Sequence, residues 1–276
     1  MMEVFAVARK IILLIAALYI AVTAIAFLMQ ERMMFFMPGI ENERIRQIRQ
    51  KHPEAEEVSV KTHDSITLRG WLLHRNKAGP SPLLIYFGGN AEEVSWMMEQ
   101  KEVFTNWSML LINYRGYGHS EGKPGEKALL NDALLLYDTF SKKEEIDPER
   151  IAVMGRSLGC AMAIHLSANR NIAGTVLISP FESMVNVSRE HFPFLPTGLL
   201  MKHKFKMLPD ASSAGNPMLT MVASDDEIIP PGHSKKLFDA WKGDKGMEII
   251  KNAGHNDISV YPEFWEVISS FLNRLI

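Results

Sequence analysis

The run Gly155-Arg156-Ser157-Leu158-Gly159 constrains this chain more than any other five residues. The apolar Ile151-Ala152-Val153-Met154 precedes it directly, and the Ala-rich Ala161-Met162-Ala163-Ile164 follows closely. The pattern is strand, tight turn, helix, with a serine at the tip and a glycine two residues away on each side. So sharp a turn needs glycine, because a Cβ at the flanking positions would collide with the neighbouring strand or helix. It pushes the Ser157 hydroxyl out of a sheet and sets it at a helix N-terminus, where backbone N–H groups stabilise an oxyanion. If a histidine and an acid follow in the right order, the chain has the parts for nucleophilic acyl transfer.

The rest of the chain alternates in the same style. Short apolar runs at 83–87, 109–114, 151–154, 175–178, 218–222 and 247–251 read as buried parallel strands. Residues 58–61 and 67–73 read as a hairpin turning at His63-Asp64-Ser65. Helical patterns occupy 91–104, 127–140, 158–169, 235–241 and 262–272. This alternation predicts an α/β fold, a mostly parallel eight-stranded sheet with helices on both faces. The rhythm breaks at about 182–210, where His191-Phe192-Pro193-Phe194-Leu195-Pro196 cannot continue a single long helix. We expect a small cap with an apolar underside there, hanging over the sheet edge where ligands bind. The plainer alternative is an ordinary crossover helix with loose ends.

Residues 11–29, IILLIAALYIAVTAIAFLM, hold no charge and are long enough to cross a bilayer as a helix. Such a run is too long and too apolar for a typical core helix. A signal peptide cut after Ala24-Ile25-Ala26 is the rival reading, with Phe27 as the new N-terminus. The apolar run continues past that point, so a retained single-pass anchor at 1–32 is expected, followed by a juxtamembrane segment at 33–55 and a globular domain at 56–276. Residues Met33 to Met37 are expected near the membrane interface. Arg9 and Lys10 flank one end, and Arg32, Arg44, Arg46, Arg49 and Lys51 the other, so the charges leave sidedness open.

Composition narrows the chemistry. The net charge is −2 and no basic cluster alternates with aromatics, which removes electrostatic support for nucleic-acid binding. The single cysteine, Cys160, excludes an intrachain disulfide or a Cys-based zinc site. No His-Glu-x-x-His motif is present, and Gly88-Gly89 lacks the spacing of a phosphate-binding fingerprint, so no metal or other cofactor is expected.

A serine hydroxyl needs an adjacent base, itself oriented by a third group. Among nine histidines, His255 lies in Ala253-Gly254-His255-Asn256-Asp257, between the last strand and the last helix. That loop can hand a side chain to a nucleophile at the same sheet edge. His165 reads as a core-packed residue of the helix after Ser157. His119 is a loop residue, and His63, His74, His203 and His233 show no partner pattern. For the acid, strand 218–222 runs into Ala223-Ser224-Asp225-Asp226-Glu227, three adjacent carboxylates among which spacing does not choose. Any of them gives the chain order Ser, acid, His, unlike that of the chymotrypsin or subtilisin folds. The oxyanion donors are expected to be the Leu158 N–H and a backbone N–H in Phe87-Gly88-Gly89-Asn90-Ala91.

Together these segments resemble the membrane-anchored, Bem46-like branch of the α/β-hydrolase superfamily, with kinship to its depalmitoylating members. The resemblance covers nearly the whole chain: the apolar N-terminal helix, Gly88-Gly89-Asn90-Ala91, Asn113-Tyr114-Arg115-Gly116-Tyr117-Gly118-His119-Ser120-Glu121-Gly122, the serine turn, Asp226-Glu227-Ile228-Ile229-Pro230 and Gly254-His255-Asn256-Asp257. It implies the α/β-hydrolase fold and a serine esterase or thioesterase, selects Asp226 as the acid, and assigns the second oxyanion donor to the Asn90 N–H. It also assigns Arg115 and Tyr117 to a structural loop. The family usually has His where this chain has Gly88. The expected enzyme carries Ser157 as nucleophile, His255 as base and Asp226 as orienting acid, needs no cofactor, and acts at a bilayer on small-molecule or lipid-like acyl esters. A peptidase or amidase on the same fold, or a membrane-tethered binding protein without turnover, are the alternatives.

Overall fold

The two-residue period of the buried strands decides which side of the sheet each side chain packs on. In the computed structural model, which describes residues 1–75 and 79–276, Leu83, Ile85, Phe87, Ile151 and Val153 enter one core. Their neighbours Leu84, Tyr86, Ala152 and Met154 enter another, on the opposite face. Strands with both faces covered are largely apolar, and β3 (Ser81–Phe87), β4 (Ser108–Ile112), β5 (Ile146–Arg156), β6 (Gly174–Ile178) and β7 (Met218–Ala223) are so over their inner residues, apart from the buried Thr175 and Thr220. With β1 (Ala55–Lys61), β2 (Thr67–Leu73) and β8 (Lys245–Ile250) they form an eight-stranded sheet in the order β1-β2-β4-β3-β5-β6-β7-β8. Among the described residues, β2 alone runs opposite to the other seven strands.

Helices cover both faces. α3 (Glu126–Phe140), α4 (Gly159–Asn169), α7 (Leu208–Ser213) and α8 (Pro231–Ala240) pack on the first core through Leu129, Leu136, Ile164, Ala211 and Leu237. α2 (Asn42–Lys51) and α9 (Pro262–Asn273) close the second through Ile48, Phe264, Ile268 and Phe271. Each such Leu, Ile or Phe side chain, taken fully out of water, contributes about 1.5–3 kcal/mol.

Two details differ from the sequence expectations, at 91–104 and at 33–37. The stretch 91–104 is not an α-helix; it is a short 3-10 turn at Val94–Gln100. Ala91 adopts φ +61°, which stops a helix from starting there, and the Asn113 side chain takes the Val94 N–H at 3.2 Å. The segment 33–55 holds the helix α2, anchored by the buried Ile48. Within Met33 to Met37, Phe35 is not interfacial: it is buried, edge-on to His203 and Phe205. The insertion between β6 and β7 forms α5 (Met184–His191), α6 (Thr197–Leu200) and α7, not one crossover helix. The apolar N-terminal segment is one exposed helix, α1 (Met2–Met34), a candidate membrane span by length and composition.

Candidate active site

Ser157 sits at the C-terminal end of β5 with φ +51°, a left-handed conformation that costs a non-glycine residue roughly 1–2 kcal/mol. Its N–H donates to Ile178 O at 2.8 Å, which holds the strained residue against β6. The flanking glycines are required by contact. A Cβ on Gly155 would stand 2.5 Å from the Gly159 carbonyl oxygen, and one on Gly159 would stand 2.0 Å from that of Phe87. Cys160, one residue on, is buried and donates to the Gly155 and Ile178 carbonyls. Burial pushes its thiol well above the ordinary range, so its part here is packing.

The loops after β7 and β8 bring two further predicted residues together. Asp226 is buried and its Oδ2 lies 2.8 Å from His255 Nδ1, while the adjacent Asp225 and Glu227 are exposed. The other oxygen, Oδ1, accepts the Ile228 and Ile229 N–H groups at 3.0 and 2.7 Å. Burial raises the Asp226 pKa, but the hydrogen bonds from His255 and Ile229 outweigh it and hold the carboxyl below its ordinary value. A carboxylate fixed on three donors can hold an imidazole in one tautomer. The Ser157 hydroxyl makes no hydrogen bond to His255 among the described residues; in ligand-free hydrolases that bond is often long and tightens with substrate.

The loop 88–90 lies directly against the serine turn: a Cβ on Gly89 would be 3.7 Å from Ser157 Cβ. Ser157, Leu158 and Asn90 line one cavity of about 380 Å³, within the range of small-molecule sites. Among the described residues, neither the Leu158 nor the Asn90 N–H donates to another protein group, so both are free for a ligand oxygen.

Glu92 has no role in the sequence expectations, yet it organises this corner. Its buried carboxylate accepts from Gly89 N at 2.8 Å, Trp96 Nε1 at 2.6 Å and the Tyr86 hydroxyl, and pairs with Arg156 Nη1 at 3.3 Å. Arg156 Nη2 in turn donates to the His255 carbonyl at 3.0 Å. The loop bearing the imidazole, the serine turn and the glycine pair are thus joined through one carboxylate. The sequence signal was available: an acid three residues after Gly89, placed to return to its N–H. A Cβ at 88 would stand 3.0 Å from Val94 Cγ1 and 3.3 Å from the Glu92 carboxyl, so both side chains crowd that position.

Tyr117 also does more than hold its own loop, because its hydroxyl donates to Asn90 Oδ1 at 2.9 Å. Arg115 is buried between Asp132 and Asp64. His165 is not core-packed; it is partly exposed and pairs with Asp210 at 2.7 Å. His233, which showed no partner pattern, lies buried 2.6 Å from the buried Glu182. This buried histidine–carboxylate pair fastens the start of the insertion to α8.

The model of the family described as serine hydrolase matches residues 137–274. An uncharacterized membrane protein of Saccharomyces cerevisiae is 30% identical over 79% of each chain. The protein bem46 of Schizosaccharomyces pombe is 26% identical over 93% of this chain and 91% of its own. Among solved structures, the Pyrococcus furiosus esterase Pf2001 superposes with a TM-score of 0.65 at 20% identity, covering 80% of this chain and 91% of that one. The likeness of fold, the family match and the serine turn agree: the chain belongs to the serine hydrolases, as a Bem46-like member of the α/β-hydrolase superfamily.

Proposed function

We propose that this hydrolase is anchored in a membrane by α1, as a single-pass protein, and cleaves carboxylic esters or thioesters of lipid-like acyl chains through Ser157, His255 and Asp226. The carrying observation is the buried His255–Asp226 pair at 2.8 Å, at the same sheet edge as a strained Ser157 that opens onto an apolar cavity.

The steps follow from that arrangement. Ser157 Oγ attacks the acyl carbon while His255 Nε2 takes its proton, and Asp226 stabilises the imidazolium that forms. The carbonyl oxygen becomes an oxyanion held by the Leu158 and Asn90 N–H groups, each donor of this kind being worth roughly 3–4 kcal/mol in the transition state. Collapse of the intermediate breaks the bond to the alcohol or thiol, which leaves with the proton from His255. A water molecule, deprotonated by His255, then attacks the acyl-enzyme and releases the carboxylic acid with Ser157 regenerated.

A fluorophosphonate probe tests the reading. Full-length protein in detergent is expected to label at Ser157, to lose labelling in Ser157→Ala, and to hydrolyse acyl esters at a rate that falls with labelling. Labelling that survives Ser157→Ala, or hydrolysis untouched by that substitution, sinks the assignment.

A further inference from the structure

The anchor helix is part of the cavity. Ala26, Phe27, Gln30 and Met34 of α1 line the same space as Ser157, facing Val187 and Leu200 of the insertion. Four α1 residues, Thr23, Ala26, Gln30 and Met34, are half-buried while the other residues of the helix are more exposed. Their spacing of three or four residues puts them on one face. Small residues at 23 and 26 let that face approach closely, as helices do in a bilayer.

Specific bonds fix the contact. Tyr19 Oη donates to Phe194 O at 3.0 Å, Gln30 Nε2 to Leu200 O at 3.1 Å, and the Lys202 N–H to Gln30 Oε1 at 2.8 Å. Lys202 also pairs with Glu31 at 3.3 Å and lies 5.3 Å over the Phe27 ring. A helix so bonded to the insertion is a wall, not a loose tether.

The level of the contact matters as much. Tyr19 lies within the uncharged run of α1, thirteen residues before Arg32, or roughly 20 Å along the axis. The insertion loop that meets it exposes Phe192, Phe194 and Leu199, at 39, 59 and 84%. The charged residues of this contact, Glu31 and Lys202, gather at the other end, by the C-terminus of α1. With α1 in a bilayer, the loop 192–196 and the gap between it and α1 lie among acyl chains.

From this placement, and resting on the hydrolytic reading of Ser157, we infer that the substrate is a bilayer lipid ester whose acyl chain enters sideways between α1 and the insertion. Ala26 and Gln30 are then specificity-determining residues, contributed by the anchor. The chain passes from leaflet to cavity without crossing water, so long-chain substrates gain from the whole apolar wall.

The test uses full-length protein in phosphatidylcholine vesicles and a long-chain alkyl fluorophosphonate with a diazirine at the chain end. After photolysis and trypsin, mass spectrometry is expected to find Ser157 phosphonylated and the chain end crosslinked to residues 11–32 or 190–202. Phosphonylation of Ser157 with crosslinks only elsewhere overturns the inference and leaves the hydrolase reading intact; no phosphonylation overturns both. In parallel, Ala26→Trp is expected to lower the long-chain to short-chain ratio of kcat/KM about tenfold. Leu28→Trp, on the outward face at 77% exposure, is expected to leave that ratio unchanged. Equal ratios in the two variants also overturn the inference.

Discussion

Phe36 and Asn90 are joined by a hydrogen bond from the Phe36 backbone N–H to Asn90 Oδ1, 2.9 Å long. The same oxygen accepts the Tyr117 hydroxyl at 2.9 Å, so the chain leaving α1 and the Gly116–Gly118 loop both hold the residue that bears a proposed oxyanion donor. Removing the side chain keeps the Asn90 N–H but frees its position. Asn90→Ala is expected to lower kcat about tenfold with KM within a factor of two, because the loss is felt in the transition state. Asn90→Asp, which keeps an acceptor oxygen for both donors, should recover most of that rate. An Asn90→Ala enzyme with unchanged kcat would show that the donor needs no such support.

The pairing of Asp226 with His255 predicts a large kinetic effect from a small chemical change. Asp226→Asn presents an amide to Nδ1 and favours the wrong tautomer. We expect kcat to fall by about 10³–10⁴ with the fold retained, since the side chain keeps its size and an oxygen for the Ile228 and Ile229 N–H groups. Steady-state kinetics alongside a thermal melt would separate this from unfolding. A fall under tenfold would remove Asp226 from the mechanism.

Two glycines give a steric prediction. In Gly159→Ala the new Cβ would stand 2.0 Å from the Phe87 carbonyl oxygen, a backbone atom on β3 that cannot yield without moving the sheet. We expect a loss of more than about 4 kcal/mol, seen as protein that does not accumulate in soluble or membrane fractions. Gly198→Ala meets nothing closer than 3.6 Å, has no positive φ, and lies in α6. Its melting temperature is expected to stay within about 2 °C of the parent. Similar behaviour of the two variants would contradict the packing described for the serine turn.

The buried Glu182–His233 pair predicts how stability depends on acid. Burial raises the Glu182 pKa, yet hydrogen bonds from His233 and Asn186 bring it net below its ordinary 4.5. A carboxyl with a depressed folded-state pKa stabilises the fold fully above its unfolded value, and that contribution is lost as pH falls through the folded value. The melting temperature should therefore hold above pH 4.5 as far as this group is concerned, and drop below it. Glu182→Gln is expected to be less stable at neutral pH, with the gap to the parent closing in acid. A gap that stays constant down to about pH 3.5 would show that the pair carries no such linkage.

How much of this was legible in the chain depends on the range over which each feature is set. The strands at 83–87, 151–154 and 175–178 and the helices at 127–140 and 158–169 follow from local period and turn chemistry, and the structure has them within a few residues. The 3-10 turn at Val94–Gln100 was hidden because Ala91 and the distant Asn113 decide it. The role of Glu92 is hidden for a similar reason: Gly89 and Trp96 are within reach by spacing, but Arg156, which links it to the other loops, comes from β5. The histidine at 233 looked idle because Glu182 is fifty-one residues away.

By itself, then, the sequence determined the serine turn, the α/β alternation, the chain order of serine, acid and histidine, and an apolar helix long enough to span a bilayer. These depend on residues near each other in the chain, where backbone sterics and hydrophobic period act directly. Spacing left Asp225, Asp226 and Glu227 open and the resemblance pointed to Asp226; the tertiary structure brings Asp226 to His255, and it alone decided that Glu92 and Arg156 join three loops and that α1 walls the cavity at Ser157. Contacts such as Tyr19 with Phe194, 175 residues apart, arise when packing of the sheet and insertion brings their carriers together. No local pattern encodes that meeting, because its energy exists only once the whole core has formed.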